Sequence, residues 1–104
     1  MLRGEIWWAK LPSPAGRRPV LLLSRNEAYA VRNAVTVAEV TTTIRGIPVE
    51  VVLNQEDGMP KQCVVNLDTL ATIRQDLLET RITALNDEKT ILVHQALKFA
   101  LAIP

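Results

Sequence analysis

The chain has 104 residues, of which 48% are apolar and 22% are charged, as expected for one small globular domain spanning residues 1–104. Twelve Lys and Arg residues against eleven Asp and Glu residues leave a formal net charge of +1, which excludes a strongly basic nucleic-acid-binding arm and an acidic disordered tail. The one cysteine, Cys63, excludes an internal disulfide framework and a cysteine-based zinc site. Charged residues interrupt the first 20 positions, and no apolar stretch approaches the roughly 18 residues of a membrane span, so we expect a cytoplasmic protein.

The net charge conceals an asymmetry between the two halves of the chain. Residues 1–48 hold seven cations and three carboxylates, a net +4, whereas residues 49–104 hold five cations and eight carboxylates, a net −3. Six of the seven N-terminal cations are arginines, and the planar donor fork of arginine suits phosphate better than the point charge of lysine. The pattern predicts either a basic face for a phosphate-bearing partner or, if both halves fold together, a surface on which the charges mix.

The first half of the chain has the pattern of strands separated by turns. Aromatic and β-branched residues predict strands over residues 5–11 and 35–41, and an uninterrupted apolar run predicts a strand covered on both faces over 20–23. Residues 12–19 contain three prolines and a glycine, which predicts a stiff loop. Asn26 is a candidate N-cap for a short helical turn over 26–31. Gly46 and Pro48 then indicate a turn.

Three further strands and one helix are predicted in the second half. The strands cover residues 49–53, 62–67 and 80–83, and residues 68–78 are ambiguous. Asn86 is a candidate N-cap for an amphipathic helix over 86–102. The apolar residues that recur there at helical spacing are Leu92, Ala96, Phe99 (or Ala100) and Ile103. Short strands at roughly ten-residue spacing followed by one helix predict a mainly β fold, a small antiparallel barrel with an appended helix.

Several common chemistries are excluded by the residues present. The four glycines are scattered, so no glycine-rich phosphate loop exists. His94 is the only histidine, which excludes a two-histidine acid–base pair and a histidine-rich metal cluster within one chain. We expect His94 to be a surface or packing residue of the helix. Cys63 lies within a strand pattern, where a small buried apolar role is expected rather than a nucleophilic one.

A combination of arginine and threonine is the pattern that carries chemistry. Arg18 lies where the proline-stiffened loop enters a buried strand, so its side chain can be held at the rim of the barrel. Thr41, Thr42 and Thr43 lie where the third strand ends, and Arg45 follows closely. Together these groups could bind one phosphodiester, with Arg18 neutralising developing charge and a threonine placing a nonbridging oxygen. The alternative is a solvated arginine beside threonines that merely favour a strand.

The segments RGEIWWAKL (3–11) and GRRPVLLLS (16–24) resemble the opening of the MazF/PemK family of toxin endoribonucleases. The resemblance continues through residues 35–42, through PVEVVL (48–53) and CVVNLD (63–68), and ends with the C-terminal helix, so it covers nearly the whole chain. It implies an SH3-like barrel that works as a homodimer, with RNA in a groove at or beside the interface between the two chains.

The resemblance also implies the reaction and its residues. Single-stranded RNA would be cleaved by its own 2′-hydroxyl, without a metal or cofactor, to give a 2′,3′-cyclic phosphate and a 5′-hydroxyl. Arg18 matches the arginine of the family's Arg-Pro motif, as acid or transition-state stabiliser, and Thr41 matches the active threonine. Because a free guanidinium keeps its proton above about pH 12, we expect electrostatic stabilisation from Arg18. The residues expected to bind RNA are Arg17, Thr42, Thr43, Arg45, Asp68 and Thr69. The partner would be a MazE-like antitoxin whose flexible, acidic C-terminal segment covers the basic groove.

Two departures from the family pattern leave the cleavage sequence open. The loop over residues 12–16 is short, and Thr69 and Ala71 stand where the family commonly has larger polar side chains. We hypothesise that the short open loop admits structured RNA such as a tRNA loop.

Two other functions fit the same fold. A CcdB-like inhibitor of DNA gyrase would need a functional end of the helix, but residues 98–104 are largely apolar and suit packing. A non-catalytic RNA-binding barrel would not need both Arg18 and Thr41.

Trp7 and Trp8 are adjacent on a strand and must point to opposite faces. One is expected in the core, and the other at the dimer interface in preference to the RNA.

Overall fold

The computed structural model describes residues 1–104. Its elements in chain order are β1 (Glu5–Lys10), β2 (Arg17–Leu22), the single-turn helix α1 (Ala28–Val31), β3 (Ala34–Thr41), β4 (Glu50–Leu53), β5 (Cys63–Arg74), β6 (Leu78–Ala84) and α2 (Asp87–Ala100). Short 3-10 turns cover Gln55–Asp57 and Gln75–Leu77. All strand pairs are antiparallel, in the order β4-β5-β3-β2-β1-β6. The sheet curls into a half-barrel with one C-terminal helix, so the predicted mainly β fold is confirmed.

β5 is longer than the sequence pattern indicated, because the ambiguous segment continues the strand to Arg74. The ladder between β3 and β5 pairs Ala38 with Leu70 but Val40 with Val65. Glu39 of β3 therefore faces the four residues 66–69, which form a bulge. A bulge bends a strand and redirects its side chains, and this one contains Asp68 and Thr69.

Both faces of the sheet are covered by apolar side chains. The larger cluster has 13 buried residues and includes Ile6, Leu21 and Val40 together with Val93 and Ala96 of α2. The smaller cluster has eight buried residues on the other face. Successive residues of β2 alternate between the two clusters, as the unbroken apolar run predicts. No helix is long and apolar enough to cross a bilayer.

The two predicted helix caps have different outcomes. Asn86 caps α2, because its side chain accepts a hydrogen bond from the Lys89 backbone N–H at 2.8 Å. The prediction for Asn26 is wrong, since Glu27 occupies the cap position of α1 without a side-chain bond. The Asn26 amide oxygen instead accepts the Arg3 backbone N–H at 2.7 Å. It ties the start of β1 to the loop after β2.

The predicted apolar face of α2 is also partly wrong. The helix packs Val93, Ala96, Leu97 and Ala100 against the larger cluster, at the i, i+3, i+4, i+7 spacing of a single face. The side chains of Leu92, Phe99 and Ile103 are exposed instead. The end of the chain is therefore not the packing segment that its composition suggested, and α2 presents a second apolar face to the outside.

Candidate active site

Arg18 is held near the start of β2 by the neighbouring strands on both sides. It pairs with Ala9 of β1, and its guanidinium Nη1 lies 3.4 Å from Oε1 of Glu39 on β3. The Arg18 side chain is 34% exposed and that of Glu39 is 22% exposed. The arginine is thus fixed by an ion pair that water reaches only in part, and one side of its donor fork stays open.

Thr41 follows the end of the ladder between β2 and β3. The last pair of that ladder sets Val20 opposite Glu39, and from the same register continued two residues outward we infer that Arg18 lies opposite Thr41. Residues two apart on a strand share a face, so Glu39 and Thr41 lie on the face of Arg18. The Thr41 hydroxyl oxygen accepts the Thr43 backbone N–H at 3.2 Å. Its own O–H remains free to donate to a ligand.

A small pocket of ≈ 160 Å³ opens next to Thr41. Trp8, Pro19 and Thr42 line it together with Cys63. Burial raises the pKa of the Cys63 thiol, and the Asp57 carboxylate raises it further. Cys63 is therefore a neutral thiol at neutral pH, consistent with its predicted role as a small buried residue.

Arg17 and the two tryptophans take distinct positions. The Arg17 guanidinium lies 4.2 Å from the ring centroid of Trp8, a cation–π distance, and its Nε donates to Oε1 of Glu79 at 2.8 Å. Trp7 packs against the smaller cluster, and its indole N–H donates to Glu5 at 3.0 Å. Trp7 and Trp8 therefore point to opposite faces as predicted, and Trp8 is the one beside Thr41.

The other predicted RNA-binding residues lie in two segments, the loop after β3 and the bulge of β5. Thr43 and Arg45 lie in the exposed loop between β3 and β4. The Arg45 and Gly46 backbone N–H groups donate to the Glu50 carboxylate at 3.0 and 2.8 Å, which orders this loop while the Arg45 guanidinium has no ion pair. Asp68 and Thr69 are exposed in the β5 bulge facing Glu39. The site is thus built from three adjacent strands, β2, β3 and β5.

Glu39 is the residue of this site that the sequence did not single out. One signal for it exists: it is the only charged residue in the strand AVTVAEVT, and it precedes Thr41 by two positions. Its ion pair with Arg18 depends on the pairing of β2 with β3, which residue patterns do not give. His94 lies elsewhere, on α2, in a pocket that Arg3, Gly4 and Leu85 also line.

Ion pairs join the two halves of opposite charge. Arg17 pairs with Glu79, and Arg81 pairs with Glu5 at 3.0 Å. The surface on which charges mix is therefore present along β1, β2 and β6. The Arg45 guanidinium of the N-terminal half has no ion pair, and the Arg18 guanidinium stays 34% exposed beside Glu39.

Comparison with known proteins identifies the family. Residues 2–101 match the model of the PemK-like, MazF-like toxins of type II toxin–antitoxin systems. The probable endoribonuclease MazF5 of Mycobacterium tuberculosis is 39% identical over 100 residues, which cover 95% of this chain and 91% of that protein. The M. tuberculosis toxin MazF-mt6 superposes with a TM-score of 0.89 at 31% identity, covering 96% of this chain and 98% of that one. A mycobacterial endoribonuclease solved in complex with its cognate antitoxin has a TM-score of 0.88 at 27% identity, covering 100% and 97% of the two chains. The chain belongs to the PemK-like, MazF-like family of toxins of type II toxin–antitoxin systems.

Proposed function

We propose that this toxin is an endoribonuclease of the cytoplasm, and that residues 1–104 act as one domain that cleaves single-stranded RNA. The observation that carries the proposal is the Arg18–Glu39 ion pair between β2 and β3, which holds Arg18 beside the end of the strand that carries Thr41. A guanidinium and a hydroxyl on neighbouring strands can hold two oxygens of one phosphodiester. The relatives named as endoribonucleases support the same assignment.

The chain supplies electrostatic stabilisation and positioning for the reaction. The 2′-hydroxyl of the substrate attacks the adjacent phosphorus and gives a 2′,3′-cyclic phosphate and a 5′-hydroxyl, without a metal or cofactor. Arg18 stabilises the negative charge that develops on the phosphoryl oxygens, and Thr41 donates a hydrogen bond to one of them. The RNA then extends past Arg17, Thr42, Thr43 and Arg45 on one side and past Asp68 and Thr69 on the other. The position of Trp8 beside Thr41 favours contact with RNA.

Cleavage of mixed cellular RNA in EDTA, with mapping of the new 5′ ends, tests this function. We expect 5′-hydroxyl ends at a recurring sequence from the wild type, and a rate lower by about 10³-fold for Arg18→Ala because the arginine's charge acts mainly in the transition state. Arg25→Ala is the matched control, since Arg25 is exposed and lies outside the site, and we expect its rate to be unchanged. If the wild type leaves a broad set of RNAs intact, the proposal fails.

We propose that the second apolar face of α2 binds another copy of the chain. Leu92 and Phe99 of α2 border a groove with Pro48 and Val52, and Phe99 is 63% exposed. The Nζ of Lys89 in this groove already donates to the Val52 carbonyl at 2.8 Å and lies 3.8 Å from Asp57. A groove without a free cation suits an apolar, self-complementary contact rather than an acidic peptide.

Sedimentation equilibrium tests the homodimer. Phe99→Glu should lower the mass from that of two chains to that of one, because it buries a charge in an apolar contact. Val31→Glu is the control, since Val31 is an exposed apolar residue on α1, away from the groove. A wild type that sediments as a single chain contradicts the proposal.

We further propose that a MazE-like antitoxin inhibits the toxin by covering the RNA site. The complex of the mycobacterial relative with its cognate antitoxin supports a protein partner of this kind. A flexible acidic segment would pair with Arg45, which is exposed and has no ion pair, and with Arg18, which is 34% exposed. RNA and the antitoxin segment should therefore compete, and Arg45→Ala should weaken the binding of both.

A further inference from the structure

Glu39 differs from the other half-buried carboxylates in the hydrogen bonds that it accepts. Four carboxylate residues are half-buried: Glu5, Glu39, Glu50 and Asp57. The other three each accept at least one backbone N–H, from Leu2, from Arg45 and Gly46, and from Asn54 respectively. Glu39 accepts no hydrogen bond, and its one polar partner is the Arg18 guanidinium at 3.4 Å. With no protein donor on its oxygens and a side chain that is 22% exposed, Glu39 keeps lone pairs available to a ligand.

The position of this carboxylate is central to the site. Glu39 lies two residues before Thr41 on the same face of β3, and it is diagonal to Arg18 across the β2–β3 ladder. A phosphodiester held by Arg18 and Thr41 would thus bring its ribose within reach of the free Glu39 oxygens. The side chain is 22% exposed, which leaves room for a substrate hydroxyl to approach.

We propose that Glu39 is the general base of the cleavage reaction, an inference that rests on the proposed ribonuclease function. A Glu39 carboxylate oxygen takes the proton of the 2′-hydroxyl as the bond between the 2′-oxygen and phosphorus forms. The bond between phosphorus and the 5′-oxygen breaks, and its electron pair stays on the 5′-oxygen, which takes a proton from water. The hydroxide left by that water recovers the proton from Glu39, and the enzyme returns to its starting state.

Other bases are less well placed. Arg18 keeps its proton and serves as a charge. His94 is on α2 in a different pocket. Asp68 lies in the β5 bulge and is exposed, so it is the one competing carboxylate. Two charged groups face Glu39. One is Arg18 from β2, and the other is Asp68 from the bulge of β5.

The test is a pH–rate profile under single-turnover conditions, with an oligonucleotide that carries one ribose at the mapped cleavage site. The wild-type rate should level off once the carboxylate is ionised. Glu39→Gln should be slower by about 10²- to 10⁴-fold at pH 6, and the deficit should shrink as pH rises because hydroxide replaces the missing base. A deficit that is the same factor at every pH means that Glu39 only positions Arg18, and it overturns the proposal. So does a pH-dependent deficit that appears in Asp68→Asn and not in Glu39→Gln.

Three controls separate this inference from folding and from the proposed function. Asp76→Asn removes a carboxylate from another arginine pair and should cleave at the wild-type rate. Glu39→Gln should bind the uncleavable all-deoxy oligonucleotide within threefold of the wild type, or more tightly because a negative charge is gone. Formate should restore part of the activity of Glu39→Ala but not of Arg18→Ala. Full activity of Glu39→Gln overturns the base assignment while the ribonuclease function stands, whereas an inactive wild type overturns both.

Discussion

Two arginine–carboxylate pairs of this molecule differ in how far water reaches them. The Arg74–Asp76 pair is 76% and 61% exposed and borders a pocket of ≈ 840 Å³. The Arg18–Glu39 pair is 34% and 22% exposed, and the smaller recess, which Thr41 lines together with Trp8, has about a fifth of that volume, ≈ 160 Å³. Charges act more strongly where water is partly excluded, so the Arg18–Glu39 pair is the better placed of the two for phosphoryl chemistry. The extent of desolvation, rather than the volume of a pocket, marks the candidate site.

Removing one hydroxyl from the smaller recess tests this difference most directly. Thr41→Val should lower the cleavage rate by about 10²-fold, because a hydrogen bond aimed at the developing charge is lost while the strand-forming shape is kept. Arg74→Ala, at the larger pocket, should change the rate less than twofold. Single-turnover cleavage of the same RNA by both variants is the measurement, and equal losses would show that the two pockets are not functionally distinct.

A smaller effect is expected at the border of the recess, where Arg17 lies over Trp8. Arg17→Ala should raise the Kd for RNA by about three- to tenfold with little change in the rate of the bound complex, because Arg17 lies beside the site without touching the reacting phosphate. Glu79→Gln should change Kd in the opposite direction, since it releases Arg17 from its ion pair. Titration of the intrinsic tryptophan fluorescence, to which Trp8 contributes, gives both values. A loss of rate without a loss of binding in Arg17→Ala would place this residue among the catalytic groups.

The smallest predicted effect concerns stability at the β1–β6 edge. Burial alone would raise the pKa of Glu5, but hydrogen bonds from Trp7, Leu2 and Arg81 outweigh it and hold that pKa below 4.5. The folded protein thus favours the ionised form of Glu5. The contribution of this carboxylate to the free energy of unfolding is present above pH 4.5 and is lost as the pH falls through the lower pKa of the folded state.

Glu5→Gln should therefore lower the free energy of unfolding by about 1 kcal/mol at pH 7, with a difference that narrows below pH 4.5. Urea unfolding at pH 7 and at pH 3 measures it. A difference that grows in acid would contradict the assigned direction.

Local patterns were enough to predict much of the fold and to single out part of the candidate site. The strands near Trp7, Val20 and Val37 follow from β-branching and unbroken apolar runs. Arg18 and Thr41 follow from the stiff loop and from the end of a strand. These features depend on residues close together in the chain, which is why the sequence carries them.

The features that were missed depend on contacts between distant residues. The ion pair of Glu39 with Arg18 needs the register of β2 against β3, and the β5 bulge needs that of β3 against β5. The inward face of α2 is fixed by the core it meets, so an apolar pattern on both sides of the helix could not decide between Val93 and Leu92.

The order of strands in the sheet has a consequence for the timing of folding. β6 is the last strand in the chain but lies beside β1, the first, and the side-chain bonds between Arg17 and Glu79 and between Arg81 and Glu5 join residues 62 and 76 positions apart. Contacts this distant form late, because a long loop must close before they contribute. A growing chain on the ribosome that ends before residue 78 leaves β1 as an open edge and leaves Arg17 without Glu79. The complete sheet can therefore form only near the end of synthesis.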